Sequence, residues 1–524
     1  MGVPHVFIAW ADLKAIACDA WLVPGGQGPG RDWREAMPKR WRYQARSDVD
    51  GEGSRAVVVV NSDRGALDDK EPLAVLTDIS ANNRQGPEWY VDGARDFLRV
   101  ATTALRSSGR KPLHGRSRYL LALPLLGTKG GGGAAWSGEI TSLLLPLLRA
   151  EAARLENGNE IGVDVVLVLI EGPAWAAAQR RRAADPAAFD ALPPALVAQA
   201  DALATRARRG GLTIFIGAGL ARPAGLPGWK QLLHELAKEC VSPDELKEFD
   251  RLNELDRAAL IERRLKSGET IGEATARVIL EHSQRVALGH ALLASLPVTE
   301  VVTTNYDDLF ERASTVVGKP CARIPGQVVA AGERFILKMH GCVTNPSSIV
   351  LTRGDYLRFQ ENRSALSGIV QALMLTRHML FVGFSFTDDN FHRIAHAVRS
   401  AVRGENTNPR SPFGTNLVVG GGGLVADLWR DDLDWLTFNT SDNSVADEAR
   451  LVEIFLDRLS AQATTITSHL GDERWAGALS DGERRLRRRL EELDATASPA
   501  EKEAPAWSEI ELLFSRLGIG GRQV

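Results

Sequence analysis

The chain has 524 residues, more than one hydrophobic core usually organises, so two or three domains are expected. Its 63 basic and 66 acidic residues leave a net charge of −3, which argues against an overall positive potential that would attract nucleic acid. The four cysteines form no C-x-x-C pair, which argues against a zinc ribbon and a disulfide framework. The longest apolar runs have strand length and no signal-peptide pattern is apparent, so we expect a cytoplasmic protein without a membrane span.

The first part of the chain alternates apolar runs with helical patterns. The apolar runs predict mostly buried strands at 6–10, 20–24, 56–60, 73–80, 119–126 and 163–170. Helical patterns lie between them, notably at 92–107 and 137–156, and an Ala-rich helix follows the last strand. This alternation predicts an α/β domain of three α/β/α layers over residues 1–185, followed by a Pro- and Ala-rich linker at 186–195.

A second α/β domain is predicted over residues 195–460, beginning with a helix at 195–209. Its strands are predicted at 213–217, 300–305, 335–341, 378–385, 416–420 and 434–439. Residues 230–298 have almost no strand pattern and are interpreted as a helical insertion between the first two strands. Residues 461–524 are predicted as a charged helical tail, which packs on its own chain or contacts a partner.

The stretch IFIGAGLARPAGLPGW at 214–229 has the form of a phosphate site, in which a strand ends at G-x-G before a helix. Glycines let the backbone approach a pyrophosphate, and a helix N-terminus supplies amides. The spacing departs from G-x-G-x-x-G because the glycine after Gly217 and Gly219 is Gly225. A structural turn is an equal alternative for this motif taken alone.

Polar residues follow three further predicted strands, at the same predicted edge of the sheet. VVTTNYDDLFE places Asn305 and Asp307 after one strand, and KMHG places His340 after the next. FVGFSFTDDNF adds Gly383, Ser385 and Asp388 after a third. Taken singly, Asn305 suits a turn or cap and His340 a structural histidine. Their common position at the carboxyl ends of strands favours a ligand site.

The order of these motifs resembles that of the sirtuin family. The family's landmarks stand here as GAGLARPAGLP, TTNYD, HG and GFS, within about residues 205–460. The resemblance implies a Rossmann-like parallel sheet that binds NAD, with Asn305, His340 and Asp307 as catalytic residues. It also implies a set of cofactor-binding residues: Gly217, Ala218, Gly219, Pro227, Trp229, Thr304, Gly383, Ser385 and Asp388.

One departure from the family bears on the substrate. Deacylase sirtuins carry two cysteine pairs after the His-Gly motif, whereas here only Cys342 follows His340. The chain is therefore more similar to the zinc-free sirtuin-like effectors of bacterial anti-phage systems, which hydrolyse NAD to nicotinamide and ADP-ribose. This resemblance implies an NAD+ glycohydrolase without zinc, a homo-oligomer, and a possible defence-system partner protein.

The N-terminal domain resembles a macro domain, the class that binds ADP-ribose. ADLKAIACDAWLVPGG at 11–26 is similar to its opening, and ALPLLGTKGGGGAA at 122–135 is similar to its phosphate loop. The resemblance implies a second nucleotide site, in which Asp12 or Asp19 meets the adenine and a glycine loop faces the diphosphate. The residues of that loop are Gly127, Thr128 and Gly130 to Gly133. An assembly platform without a ligand is the alternative.

Two other functions stay open on the sequence alone. An NAD-dependent protein deacylase or ADP-ribosyltransferase uses the same motifs, but the missing cysteine pairs argue against the deacylase. A non-catalytic nucleotide-sensing scaffold is the third reading, and the presence of both Asn305 and His340 argues against it. The sequence does not determine the activating trigger, the oligomeric state, or whether cyclic ADP-ribose is a product.

Overall fold

A computed structural model describes residues 3–25, 33, 43–46, 56–61, 71–78, 86–129, 131–156, 158, 160–265, 268–282, 285–403, 412–440 and 444–521. The chain divides into two compact units. The first unit contains residues 1–197 and 464–524, and the second contains 198–463. Residues 464–524, predicted as part of the tail, are therefore grouped with the N-terminal sheet.

The first unit has a seven-stranded sheet with the order β1-β7-β6-β2-β5-β4-β3. The strands are β1 (Val6–Trp10), β2 (Ala20–Gly25), β3 (Tyr43–Arg46), β4 (Ala56–Asn61), β5 (Leu73–Asp78), β6 (Tyr119–Pro124) and β7 (Val163–Leu169). The β3–β4 and β4–β5 pairs are antiparallel and the others are parallel. Six of these strands match the predicted ones, whereas β3 was not predicted.

Helices pack on this sheet and on one another in the first unit. They are α1 (Pro87–Ser107), α2 (Ser137–Arg154), α3 (Gly172–Arg182), α15 (Asp481–Thr496), α16 (Pro499–Lys502) and α17 (Trp507–Leu517). The turn Glu473–Ala478 lies so close to α2 that a Cβ on Gly138 would be 2.8 Å from the Ala478 amide nitrogen. Trp507, Phe514 and Ile519 form a small core of their own near the C-terminus.

The second unit has a seven-stranded sheet in which every pair is parallel, with the order β10-β11-β9-β8-β12-β13-β14. The strands are β8 (Leu212–Ile216), β9 (Glu300–Thr303), β10 (Ala322–Ile324), β11 (Phe335–Lys338), β12 (His378–Val382), β13 (Gly414–Val418) and β14 (Leu433–Thr437). The chain builds the sheet outward from β8 in one direction, then returns to β12 on the other side of β8. This reversal is a topological switch point, where open α/β sheets bind ligands.

The predicted Rossmann-like parallel sheet is therefore confirmed for this unit. Helices α4 to α14 complete it, and α4 begins just before the division between the units. They are α4 (Pro194–Arg208), α5 (Trp229–Ala237), α6 (Leu246–Phe249), α7 (Glu254–Arg264), α8 (Ile271–His282), α9 (Leu288–Ser295), α10 (Leu309–Val316), α11 (Arg353–Thr376), α12 (Asp389–Arg403), α13 (Gly423–Trp429) and α14 (Val445–Ala463). The sequence prediction omitted β10 and named no helix of this domain after residue 298, so α10 to α14 were not predicted.

The segment interpreted as a helical insertion contains α5 to α9, whose buried side chains belong to one hydrophobic core. That core includes Tyr306 and Leu309 from the segment after β9, and Cys342 and Val343 from the segment after β11. The insertion thus packs against the two loops that carry Asn305 and His340. Among the described residues, no helix is long and apolar enough to cross a membrane.

Candidate functional site

The four predicted loops follow β8, β9, β11 and β12, which are consecutive neighbours in the parallel sheet. Gly217 directly follows β8, Asn305 lies two residues after β9, His340 two residues after β11, and Gly383 directly follows β12. Because all four strands are parallel, their carboxyl ends lie at one edge. The predicted motifs are therefore brought together.

Two glycine loops at this edge are in backbone contact. The Gly217 N–H donates to the Val382 carbonyl oxygen at 2.9 Å, and the Gly219 N–H donates to the Gly383 carbonyl oxygen at 2.9 Å. A Cβ on Gly219 would lie 2.8 Å from the Gly383 Cα. These glycines are thus required by the contact between the loops.

That contact bears on the prediction that Gly217, Ala218 and Gly219 all bind the cofactor. Two of the three amides donate to protein carbonyls. Ala218 begins the 3-10 turn Ala218–Ala224, and its amide has no acceptor within that turn because of its position. Both Ala218 and Gly219 are exposed.

Asn305 is held against the glycine loop with one amide atom unused. Its Nδ2 donates to the Gly217 carbonyl oxygen at 3.2 Å, and its backbone N–H donates to Thr303 Oγ1 at 2.9 Å. The side chain is buried, and its Oδ1 has no hydrogen-bond partner among the described residues. A buried acceptor without a donor is costly, so this oxygen is suited to a ligand hydroxyl or a water.

Asp307 is bonded to neighbouring protein groups through both its side chain and its backbone carbonyl. Its Oδ1 accepts from the Leu309 N–H at 3.1 Å at the start of α10, and its carbonyl oxygen accepts from Lys338 Nζ. Burial raises the pKa of the Asp307 carboxyl, and Lys338 opposes this rise. Burial acts to lower the pKa of Lys338, but Glu311 at 3.4 Å, Cys342 and Asp307 together outweigh it and the pKa is raised.

His340 is 2 % exposed and lies in a polar and aromatic cluster. Its Nε2 is 3.4 Å from Asp388 Oδ2 and 3.5 Å from Asn390 Nδ2. The rings of Tyr356 and Phe359 lie 5.5 Å and 6.0 Å from its ring, centroid to centroid. Burial lowers the pKa of His340, Asp388 opposes this, and Arg363 adds to it.

Asp388, predicted to bind the cofactor, has both carboxylate oxygens engaged. Oδ2 accepts from the Tyr356 hydroxyl at 2.8 Å, and Oδ1 accepts from the Phe391 N–H at 2.8 Å in the first turn of α12. Sequence reasoning missed Tyr356 and Asn390. Asn390 belongs to the FTDDNF stretch and was a detectable candidate, whereas nothing in the sequence of α11 marks Tyr356.

The loop after β12 has unusual backbone geometry. Gly383 has φ +68°, and Phe386 has φ +58° although it carries a side chain. Phe386 is 2 % exposed and packs among Phe381, Phe391 and Trp429. Aromatic packing therefore holds the strained loop that carries Ser385 and Asp388.

The remaining predicted cofactor residues lie around these loops. Ser385 is exposed, and its hydroxyl is 2.7 Å from that of Thr387. Trp229 begins α5, with its ring 6.3 Å from that of Tyr306. Pro227 and Thr304 are half-buried, and the Thr304 N–H donates to the Ile216 carbonyl oxygen at 3.4 Å.

The predicted second site in the first unit lies on the loop after β6. Gly127 and Gly132 have φ of +77° and +80°, and a Cβ on Gly127 would overlap the ring of Tyr90. The Tyr90 hydroxyl donates to the Gly131 carbonyl oxygen at 2.6 Å, and Thr128 Oγ1 donates to the Leu125 carbonyl oxygen. Gly130 lies outside the described residues.

The acidic residues predicted for this site have local roles. Asp19 is 1 % exposed, and its two carboxylate oxygens accept from the Leu113 N–H at 2.6 Å and the Leu120 N–H at 2.7 Å. Burial raises its pKa from 3.8 to about 6. Asp19 is thus a buried group whose two carboxylate oxygens each hold a backbone amide. Asp12 caps a short turn through the Lys14 N–H.

A cavity of about 330 Å³ in the first unit lies at neither predicted site. His5, Leu145, Arg149 and Arg182 are among its lining residues. Arg149 pairs with Asp185 at 2.5 Å, so its charge is compensated. Among the described residues, no group of three or more His, Cys, Asp or Glu side chains is arranged to hold a metal ion.

The switch-point sheet, with polar loops at the carboxyl ends of its strands, is of the class that binds a ligand at this edge. Residues 299–413, which include Asn305, His340 and Asp388, match the family described as "SIR2-like domain", so the sirtuin resemblance is confirmed for this part of the chain.

Curated relatives agree with this family assignment. The chain is 32% identical over 211 residues to a protein of Enterococcus faecium named "NAD(+) hydrolase ThsA", a match that covers 38% of this chain and 42% of the relative. A protein of the same name from Bacillus cereus (strain MSX-D12) is 33% identical over 195 residues, which is 36% of this chain and 40% of the relative. "Defense-associated sirtuin 2" of Bacillus subtilis is 25% identical over 198 residues, covering 37% and 20%. The chain thus spans less than half the length of each of these relatives.

Proposed function

We propose that the chain is an NAD+ hydrolase that cleaves the nicotinamide–ribose bond and releases nicotinamide and ADP-ribose. The observation that carries the proposal is the buried, unpartnered Oδ1 of Asn305, whose Nδ2 is bonded to the glycine loop and which follows β9, the strand between β8 and β11. The similarity to proteins named NAD(+) hydrolase supports the same reaction. The similarity to a defence-associated sirtuin supports a role in bacterial anti-phage defence through NAD+ depletion.

The chemistry suits these residue types. When the C1′–N bond breaks, its electron pair leaves with the nicotinamide nitrogen and positive charge develops on the ribose. A water then forms the C1′–O bond, and its proton must be accepted. A neutral amide such as Asn305 can orient the water or a ribose hydroxyl through Oδ1 without placing a positive charge beside the cation.

His340 is proposed as the acceptor of that proton. Its burial favours the neutral ring, which is the form that can act as a base at neutral pH. Asp307 contributes by fixing the start of α10 and the position of Lys338, as its contacts suggest. The amide of the exposed residue Ala218 and the loop after β12 are proposed to contact the dinucleotide phosphates and adenosine ribose.

The experiment is incubation of purified full-length protein with NAD+, with and without an acetylated peptide, followed by separation of the nucleotide products. Free ADP-ribose without peptide is expected. O-acetyl-ADP-ribose formed only with peptide would instead establish the deacylase alternative. Intact NAD+ under every condition, including in lysate from phage-infected cells to supply a trigger, would favour the scaffold. The His340→Ala protein is the control for contaminating activity.

A second nucleotide site on the loop after β6 is also proposed. The positive φ of Gly127 and Gly132 at the carboxyl end of a parallel strand supports it, because such a loop can aim amides at a diphosphate. The measurement is calorimetry of ADP-ribose binding to the Asn305→Ala protein. Gly127→Val should remove one binding event, since the new side chain overlaps the Tyr90 ring. If the Asn305→Ala protein and the Asn305→Ala, Gly127→Val protein bind the same number of ADP-ribose molecules, this site is refuted.

Assembly and location complete the proposal. A homo-oligomer, gated by an infection signal or a defence-system partner, would keep a toxic NADase inactive until it is needed. Action in the cytoplasm follows from the need to reach the cellular NAD+ pool.

A further inference from the structure

We propose that Asp388 and Tyr356 are positioning residues that hold the proton of neutral His340 on Nε2, so that Nδ1 is the nitrogen that accepts the proton in the reaction. The kinetic part of this inference rests on the proposed function. The assignment of the tautomer does not, because it concerns the resting protein.

Two hydrogen bonds fix the Asp388 carboxylate independently of the His340 ring. Oδ1 accepts from the Phe391 N–H at 2.8 Å, and Oδ2 accepts from the Tyr356 hydroxyl at 2.8 Å. The same Oδ2 lies 3.4 Å from His340 Nε2. Contacts between catalytic groups are often long without substrate and tighten when it binds.

The ring of His340 has little freedom to present its nitrogens differently. The residue is 2 % exposed, and the ring of Phe359 meets it at an interplanar angle of 90°. In a buried site an imidazole places its proton on the nitrogen that faces an acceptor. Here Nε2 faces Asp388, which leaves the Nδ1 lone pair as the base.

Asn390 is the other polar group beside Nε2. Its amide is buried, with Nδ2 at 3.5 Å from Nε2 and with an Oδ1 that has no partner among the described residues. In this orientation Nδ2 would donate to a bare Nε2, so the proposed tautomer requires the Asn390 amide to turn and present Oδ1 to the Nε2–H. The assignment therefore rests on the Asp388 carboxylate.

Burial lowers the pKa of His340 most, Asp388 opposes this and Arg363 adds to it, and the Tyr356 ring lies beside the imidazole. Asp388 comes from the loop after β12, while Tyr356 and Arg363 come from α11. When Nδ1 takes the proton, the Asp388 carboxylate stabilises the imidazolium that forms. The proton then passes to solvent, and the overall reaction consumes one water and releases one proton.

The kinetic test uses the pH dependence of kcat/KM for NAD+ cleavage. Asp388→Asn should lower kcat on the order of 10²–10⁴-fold. It should also move the acid limb of the kcat/KM profile, where activity falls as His340 is protonated, to lower pH, because the imidazolium loses its counter-charge. Tyr356→Phe should move the acid limb to higher pH, because a carboxylate that loses a donor attracts the imidazolium more strongly. Losses of activity without these opposite displacements would mean that both residues are merely structural.

Tyr306→Phe is the matched control. It also removes a buried hydroxyl that donates at 2.8 Å, but its acceptor is the Val350 carbonyl oxygen. Its acid limb should stay where the wild-type limb lies. A displacement equal to that of Tyr356→Phe would show that any buried hydroxyl at this edge has the same effect, and would overturn the proposal.

The tautomer itself is tested by NMR of full-length protein with 15N-labelled histidine, with His340 assigned by comparison with His340→Gln. The expected spectrum has a protonated Nε2 and a bare Nδ1, a preference that Asp388→Asn weakens. A proton on Nδ1 in the wild type would overturn the proposal even if the enzyme cleaves NAD+. Absence of NAD+ cleavage with the expected tautomer would instead count against the proposed function alone.

Discussion

The amide of Gly219 donates to the carbonyl oxygen of Gly383 at 2.9 Å, so the loops after β8 and β12 are joined backbone to backbone. This contact spans the topological switch point of the sheet. A side chain at Gly383 would overlap the Leu220 amide and lie 2.8 Å from the Gly219 carbonyl carbon.

Gly383→Ala should therefore separate the two loops and lower both Tm and NAD+ cleavage. The control is Gly318→Ala, because Gly318 has φ +70° against +68° for Gly383 but has no atom within 4 Å of its Cβ position. Both variants carry a similar backbone strain of about 1 kcal/mol. If Gly318→Ala lowers Tm as much as Gly383→Ala, backbone strain alone explains the loss and the contact between the loops does not contribute to stability.

Asn305→Ala should reduce NAD+ cleavage at least on the order of 100-fold, because it removes the unpartnered Oδ1 proposed to bind the water or ribose hydroxyl. It also removes the bond to Gly217, so Tm is measured alongside turnover. Asn253→Ala is the control, since it removes the cap of α7 and costs about 1 kcal/mol. Asn253→Ala should keep wild-type turnover. Retained activity in Asn305→Ala would contradict the assignment.

Stability of the first unit should depend on the protonation of Asp19. Its folded pKa of about 6 exceeds the ordinary value of 3.8, so between these values the folded state binds more protons than the unfolded state. The contribution of Asp19 is therefore most favourable below about pH 4. It falls as pH rises to about 6, by about 3 kcal/mol.

Asp19→Asn should remove this pH dependence although it also weakens one backbone hydrogen bond. Thermal unfolding of both proteins from pH 4 to pH 7 is the measurement, with the difference in Tm plotted against pH. A difference that stays constant over the range would show that Asp19 is ionised at every pH in the fold.

Lys338→Met should destabilise the second unit by about 3–5 kcal/mol, because it leaves the Glu311 carboxylate without one of its two cationic neighbours. Lys338 Nζ and Arg323 Nε each lie 3.4 Å from Glu311 Oε1. The double variant Lys338→Met with Glu311→Gln should recover much of the loss. Urea unfolding of the three proteins tests this, and an unchanged midpoint in Lys338→Met would contradict it.

The sequence predicted the strands well where apolar runs were bounded by turn residues. The run at 163–170 became β7 at Val163–Leu169, which is buried along its whole length. The short strand β10 was missed because ARI has only three residues and one strongly apolar side chain. Its strand conformation depends on pairing with β11, which is a tertiary contact.

The roles of individual glycines and acids were less predictable. G-x-G at 217–219 is a pattern that both a phosphate site and a close loop contact require, and sequence does not distinguish them. The macro-domain resemblance implied that Asp12 or Asp19 meets an adenine, yet the Asp19 carboxylate accepts from two backbone amides in the folded chain. Such pairings depend on residues about 100 positions apart.

The sequence by itself predicted the SIR2-like domain, because its motifs stand at strand ends in the order that resembles the sirtuin family, and residues 299–413 match that family. Only the tertiary structure decided how the site is assembled. The distance from His340 to Asp388, and the hydroxyl of Tyr356 that holds that carboxylate, arise from three elements well separated in sequence. Side-chain direction and burial, which set the state of His340, exist only once those elements pack.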